Sequence, residues 1–153
     1  MRSLAPLARA WLYTALVATV VVVLDQLSKV AIRDSIVPGD TRSVLPGVQF
    51  VNTHNRGVAF GFLPGRHFAV SILVAVALLV LVVYFSRNHT RPLIWLPTGM
   101  LIGGALGNVL DRIRFGSVTD FVKLPLGWPP FNLADASITV GVLLLLVLAE
   151  RRE

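Results

Sequence analysis

Cysteine is missing from all 153 residues, which excludes disulfides, thiol nucleophiles and cysteine-ligated metals. Charge is scarce as well. Asp, Glu, Lys and Arg make up 14% of the chain, against about a quarter in an ordinary soluble domain. The three histidines, His54, His67 and His89, fall at no metal-ligand spacing, and no glycine-rich phosphate loop opens a helix. Neither a metal nor any other cofactor is therefore expected. Acids are rarer than bases, 8 against 14, for a formal net charge of +6. Such a balance can signal nucleic acid, but there is no Lys/Arg run and no basic patch interleaved with aromatics. The basic residues lie between and outside apolar blocks, where anionic lipid headgroups are the natural partner. Nucleic acid is set aside as a partner, and no internal repeat is evident.

What fills the chain instead is apolar: 55% of residues are hydrophobic and the mean hydropathy is +0.75. A membrane-spanning helix needs about 20 mostly apolar residues, and four blocks have that character, at about 10–32, 68–85, 92–110 and 131–149. The expected fold is one domain, 1–153, a membrane all-α bundle of four transmembrane helices. Arg2 and Arg9 precede the first block as in a signal peptide. That block, however, runs into Asp25-Gln26-Leu27-Ser28-Lys29 without a small-x-small cleavage site, so it is expected to stay as a span. Raw Lys/Arg counts on the two sides do not decide orientation. The short segments carrying Arg2, Arg9, Arg87, Arg91, Arg151 and Arg152 flank the spans most densely, which places both termini in the cytoplasm.

Two longer connections, 33–67 and 111–130, then lie on the other side. Turn signals stand at Gly39-Asp40, Pro46-Gly47 and Pro64-Gly65. Between them Val48-Gln49-Phe50-Val51-Asn52 alternates like a strand, and Ser117 to Leu124 does the same. A small extracytoplasmic β-sheet lying at the membrane surface is expected.

Polar groups inside the apolar blocks carry the functional signal, because a charge at mid-bilayer costs a few kcal/mol. Asp25 and Lys29 are four apart and meet on one helical face. They are either a self-neutralising pair snorkelling at a helix end or part of a site. In the third block Gly99, Gly103 and Gly107 recur every four residues beside Gly104, a spacing that first of all lets a neighbouring helix approach. One turn on, Asn108, Asp111 and Arg112 project to one side, with Asp111 and Arg112 expected as a local charge pair. Asp120 sits in the second strand-like stretch. Asp135 opens the fourth block, one turn after Asn132. Two carboxylates at one site suit hydrolysis by activated water: close together, they share a proton, one acting as base and the other polarising the scissile carbonyl. Spacing alone leaves open whether these two meet.

Five stretches, in order, resemble the bacterial lipoprotein signal peptidase (signal peptidase II) family: Asp25-Gln26-Leu27-Ser28-Lys29; Asn55-Arg56-Gly57-Val58-Ala59-Phe60; Gly103 to Arg112; Val118-Thr119-Asp120-Phe121; and Phe131-Asn132-Leu133-Ala134-Asp135. One mild departure is Val58, where a small residue is common. The resemblance covers nearly the whole chain and implies an aspartic endopeptidase of the bacterial cytoplasmic membrane. Such enzymes remove signal peptides from prolipoproteins, cutting before a diacylglyceryl-modified cysteine, and are inhibited by the cyclic peptide globomycin. It implies Asp120 and Asp135 as the catalytic dyad. Asp25, Lys29, Asn55, Gly57, Gly104, Asn108, Asp111, Arg112 and Asn132 are implied as substrate-binding or dyad-supporting residues. Expected partners are diacylglyceryl-modified prolipoproteins and membrane lipids, with a monomeric enzyme. Two rival classes fit part of the pattern. A proton-coupled transporter would show an inverted repeat and acids at mid-bilayer. An assembly factor using the glycine stripe gives no reason for five polar clusters toward one side.

Overall fold

Lipid offers a peptide group no hydrogen bond, so an apolar chain of this kind has to satisfy its backbone within helices. The computed structural model describes residues 4–56 and 67–150. Its elements, in chain order, are α1 (Leu4–Ser35), β1 (Thr41–Leu45), β2 (Val48–Asn55), α2 (His67–Asn88), α3 (Trp95–Phe115), β3 (Val118–Lys123) and α4 (Leu133–Glu150). Among the described residues, Pro6–Ser35 and Leu133–Glu150 are each long and apolar enough to cross a membrane.

The helices run alternately up and down. The start of α1, the end of α2, the start of α3 and the end of α4 share one end of the bundle, sealed by Ala10, Phe85 and Ile94 with Trp11, Trp95 and Leu145 around them. Trp11 and Phe85 meet edge to face at 4.7 Å. Helix α3 packs against both α1 and α4, whereas α2 packs more lightly, on α3. The glycines of α3 divide this work. A Cβ at Gly103 would lie 2.8 Å from Ala18 O of α1, and one at Gly104 would lie 2.6 Å from Ala134 O of α4.

Helix α3 begins at Trp95 and not at Pro92. Leu93 takes a left-handed φ of 60°, and the chain turns there. Pro97 does not interrupt the helix. It occupies the first turn, where a missing N–H costs nothing. The helix also runs on to Phe115. It ends at Gly116, whose left-handed backbone (φ 68°) lets its N–H reach Arg112 O at 3.0 Å.

The three strands form an antiparallel sheet in the order β1-β2-β3. The β1–β2 turn is Pro46-Gly47, with Gly47 at φ 78°. The β2–β3 pairing slips by one residue between Phe50 and Thr53. Consistent with such a bulge, the consecutive residues Val51 and Asn52 are both buried. Asn52 then ties the sheet to the end of α1, donating from Nδ2 to Ile36 O at 2.8 Å. Strand β1 had no counterpart among the sequence-predicted strands. All five of its residues are exposed, so it shows no apolar–polar alternation.

Burial is inverted relative to a water-soluble protein. Among the described residues, ten buried side chains are apolar and twelve are polar or charged, while Leu12, Leu16, Val20, Leu24, Leu79 and Leu143 are all more than half exposed. That surface suits a hydrocarbon solvent and the interior suits polar chemistry.

Candidate active site

The polar interior is concentrated at the end of the bundle opposite the Phe85 cluster, where α1 and α3 finish and α4 begins. Asp25 lies about 22 Å along α1 from Ala10, at 1.5 Å per residue. Its carboxylate is fully buried. Oδ1 accepts the Ala134 N–H at 2.9 Å, an otherwise unpaired donor in the first turn of α4. Oδ2 accepts Lys29 Nζ at 2.8 Å. Gly107 makes this possible: a Cβ there would lie 2.6 Å from Asp25 Oδ2.

Lys29 is also fully buried and does not snorkel. Its three N–H groups meet three acceptors: Asp25 Oδ2, Asp111 Oδ2 at 3.3 Å and Asn108 Oδ1 at 3.1 Å. Asp111 and Arg112 act on each other electrostatically, but neighbouring residues on a helix point about 100° apart, and the Asp111 carboxylate turns toward α1. Its ion pairs are with Lys29 and, at 3.8 Å, Arg33 of α1, and it accepts the Thr119 N–H of β3 at 2.9 Å. Gln26 and Arg33, neither among the candidates from sequence, complete the cluster. Gln26 Nε2 donates to Asp111 Oδ1 at 3.1 Å and Arg33 donates to Thr119 Oγ1 at 2.9 Å. For Arg33 a signal was present, since Asp25, Lys29 and Arg33 recur every four residues. Asp25 and Asp111 balance Lys29 and Arg33, as burial in low dielectric demands.

Above this scaffold Asp120 and Asp135 converge on Asn132. After β3 the chain passes Leu126 and Gly127, both left-handed, and returns so that Phe131 pairs with Val122. That return sets Asn132 at the N-terminus of α4 and beside Asp120. Asn132 and Asp135 form a reciprocal cap: Asn132 Oδ1 accepts the Asp135 N–H at 2.9 Å, and Asp135 Oδ2 accepts the Asn132 N–H at 3.2 Å. With its oxygen thus engaged, Asn132 turns Nδ2 to Asp120 Oδ1 at 2.7 Å. Asp135 Oδ1 accepts Asn108 Nδ2 at 2.8 Å, and Asp120 Oδ2 accepts Asn55 Nδ2 at 3.0 Å. The charge of Arg112 lies within electrostatic reach of Asp135, Asp120 and Asp111.

Asp120 is 3% exposed. Burial first, and then the neighbouring Asp135, push its carboxyl up to about 7, against the opposing hydrogen bonds from Asn55 and Asn132 and the charge of Lys29. It lies in the wall of a cleft of about 570 Å³ between the sheet and the 126–130 loop, with Thr53, His54, Asn55, Trp128 and Pro129 around it. Two carboxyls linked through Asn132, one of them raised to about 7 and lining a cleft, are equipped to activate water.

Of the residues singled out in the sequence, Asp120, Asp135, Asn55, Asn108 and Asn132 form one hydrogen-bonded group. Asp25, Lys29 and Asp111 form the ion cluster beneath it. Gly104 is a helix-packing position against Ala134 and Ile138. Gly57 lies outside the described residues. The cleft wall at Trp128 and Pro129 had no sequence signal, since it arises only when the loop folds back over the sheet.

The family profile described as Signal peptidase (SPase) II matches residues 17–150. The chain is 36% identical over 139 residues to the lipoprotein signal peptidase of Halothermothrix orenii, covering 90% of this chain and 95% of that one. It is 43% identical over 129 residues to the lipoprotein signal peptidase of Syntrophomonas wolfei, covering 84% and 86%. Two solved structures, both described as a bacterial membrane enzyme studied by the in meso method, superpose with TM-scores of 0.83 and 0.82. Their identities are 31% and 32%, with 92% of this chain covered in each case and 93% and 94% of theirs.

Proposed function

This chain belongs to the signal peptidase II family of lipoprotein-processing membrane hydrolases, and from that premise we propose that it is an aspartic endopeptidase with Asp120 and Asp135 as its dyad. Its substrates are prolipoproteins, cut immediately before a cysteine that carries diacylglycerol. Four helices span the bacterial cytoplasmic membrane with both termini inside, and the dyad faces the extracytoplasmic side. A single chain supplies both carboxyls, so a monomer suffices.

The observation that carries this reading is the shared Asn132, which donates to Asp120 at 2.7 Å while capping α4 with Asp135. Asp120, pushed up to about 7, carries the proton of the pair. Asp135, whose oxygens already accept two N–H groups, takes the proton from a water lying between the carboxyls. The resulting hydroxide attacks the carbonyl before the lipid-modified cysteine. Asp120 polarises that carbonyl, a tetrahedral diol forms, and the amine leaves with a proton from the dyad. No covalent enzyme intermediate arises. A substrate tethered by its acyl chains presents its scissile bond at the membrane boundary, the level of a site built where helices meet an interfacial sheet.

The test is cleavage of a diacylglyceryl-modified prolipoprotein peptide by the purified protein. Asp120→Asn and Asp135→Asn should each lose more than about 100-fold in rate while melting as one folded species. Near-normal cleavage by either variant, or a trapped acyl-enzyme, would rule the dyad out.

A further inference from the structure

The dyad's hydrogen bonds depend on which way round two buried amides sit, and the structure constrains each differently. Asn132 is set by the backbone, because its Oδ1 accepts the Asp135 N–H at 2.9 Å. Among the described residues, no backbone N–H donates to the side chain of Asn108. Its Oδ1 accepts Lys29 Nζ and Asn132 Nδ2, both at 3.1 Å, and its Nδ2 donates to Asp135 Oδ1 at 2.8 Å. Asn132 can satisfy its two amide hydrogens elsewhere, on Asp120 Oδ1 at 2.7 Å and Thr119 O at 3.3 Å. Lys29 has no such choice. An ammonium only donates, and its other two acceptors are already Asp25 and Asp111.

We propose that Lys29 is a positioning residue for the dyad: by donating to Asn108 Oδ1 it turns the amide NH₂ of Asn108 onto Asp135 and holds that carboxylate in place for the water. Without this donor the amide is free to invert. Its oxygen would then face the Asp135 oxygen, the two would repel, and the carboxylate would leave its place beside Asn132. The same ammonium that neutralises Asp25 and Asp111 therefore acts on the reaction through one intervening amide. This rests on the assignment of Asp120 and Asp135 as the dyad.

Simple removal of Lys29 would strand two buried acids, so the test uses charge-balanced pairs in the full chain. These are reconstituted in phosphatidylethanolamine/phosphatidylglycerol vesicles with a diacylglyceryl-modified prolipoprotein peptide. Asp25→Asn/Lys29→Met removes the donor to Asn108. Asp25→Asn/Lys29→Gln restores one. The expected result is a kcat lower by on the order of 100-fold for the Met pair, with KM within about threefold and a melting temperature like that of the Gln pair. The Gln pair should recover at least about tenfold of that loss. Equal kcat in the two pairs would mean that Lys29 only balances charge, and the proposal would fall.

If the Met pair does not fold, Asn108→Ser and Asn108→Ala decide. A hydroxyl that accepts from Lys29 must point its one hydrogen elsewhere, toward Asp135, so Ser should keep at least about tenfold more kcat than Ala. Equal rates would overturn the proposal. Wild-type protein that fails to cleave the peptide would sink the dyad, and this inference with it. A cleaving wild type beside a fully active Met pair sinks the inference alone.

Discussion

A buried carboxyl beside a second one keeps its proton to high pH, and Asp120 is in that position, pushed up to about 7 by burial and by Asp135. Cleavage that needs this proton should decline on the alkaline side as pH passes about 7, close to tenfold per pH unit for a single essential proton. The same shift makes a claim about folding. The folded protein holds the proton more tightly than the unfolded chain does, so the contribution of Asp120 to stability is complete below about pH 4. It is lost as pH rises through about 7. Asp120→Asn cannot ionise. It should remove that slope and raise stability at pH 8 by about 1–3 kcal/mol, while abolishing cleavage. Melting curves of both proteins in detergent at pH 4 and pH 8 check this. A variant less stable than wild type at pH 8 would show that Asp120 is held by its hydrogen bonds and not strained by its burial.

At the scale of elements, the start of α4 is where fold and chemistry overlap. Asn132 caps the helix and also bridges to Asp120. Two substitutions separate these roles. Asn132→Ser and Asn132→Ala both lose the buried amide bonds to Asp120, Asn108 and Thr119 and should be destabilised by about 1–3 kcal/mol for that. Asn132→Ser keeps a capping oxygen, however, and should remain about 1 kcal/mol more stable than Asn132→Ala. Both lose the amide that reaches Asp120, so both should cleave poorly. A Ser variant with wild-type turnover would remove the bridge from the mechanism. Packing of α3 on α4 is the second requirement. Gly104→Val would force a side chain into Ala134 O and Ile138. It should destabilise by about 1–3 kcal/mol and separate Asn108 from Asp135, with cleavage lost in proportion beyond the loss of folded protein. Gly99, Gly103 and Gly104 thus have the ordinary packing meaning of small residues between helices, and their effect on the site is indirect, whereas Gly107 directly makes room for the Asp25 carboxylate.

At the scale of the whole molecule, the outside is apolar and the inside polar. Leu143 of α4 is 58% exposed. In water Leu143→Lys would be harmless; in a spanning helix it should cost about 2–3 kcal/mol of insertion and lower the amount of protein recovered in the membrane fraction. Equal recovery would argue against α4 as a span. The bundle is also asymmetric along its length, with an apolar seal at Phe85 and the ion cluster at Asp25, Lys29 and Asp111 toward the other end. That asymmetry disfavours a path for ions through the middle. It agrees with a site meant for a substrate arriving at one face.

Much of this was legible in the linear chain, because long apolar runs specify helices locally. The four apolar blocks overlap the helices α1, α2, α3 and α4, with ends shifted by up to six residues, and two of those helices, α1 and α4, contain stretches long and apolar enough to cross a membrane. The alternation of Val48–Asn52 and Ser117–Leu124 marked two strands, whereas the fully exposed β1 had no pattern to read. The aspartates stood out because charge is so rare here. What needed the tertiary structure was partnership. Asp111 pairs with Lys29 and Arg33 on another helix, Asn108 faces both Lys29 and Asp135, and the cleft at Trp128 exists only where a loop folds back over the sheet. Residue types and periodicities are properties of short segments, and so the sequence by itself determined which elements form and which side chains are chemically unusual. Which donor meets which acceptor depends on contacts between segments as much as 109 residues apart, as for Asp25 and Ala134, and only the packed bundle decides that.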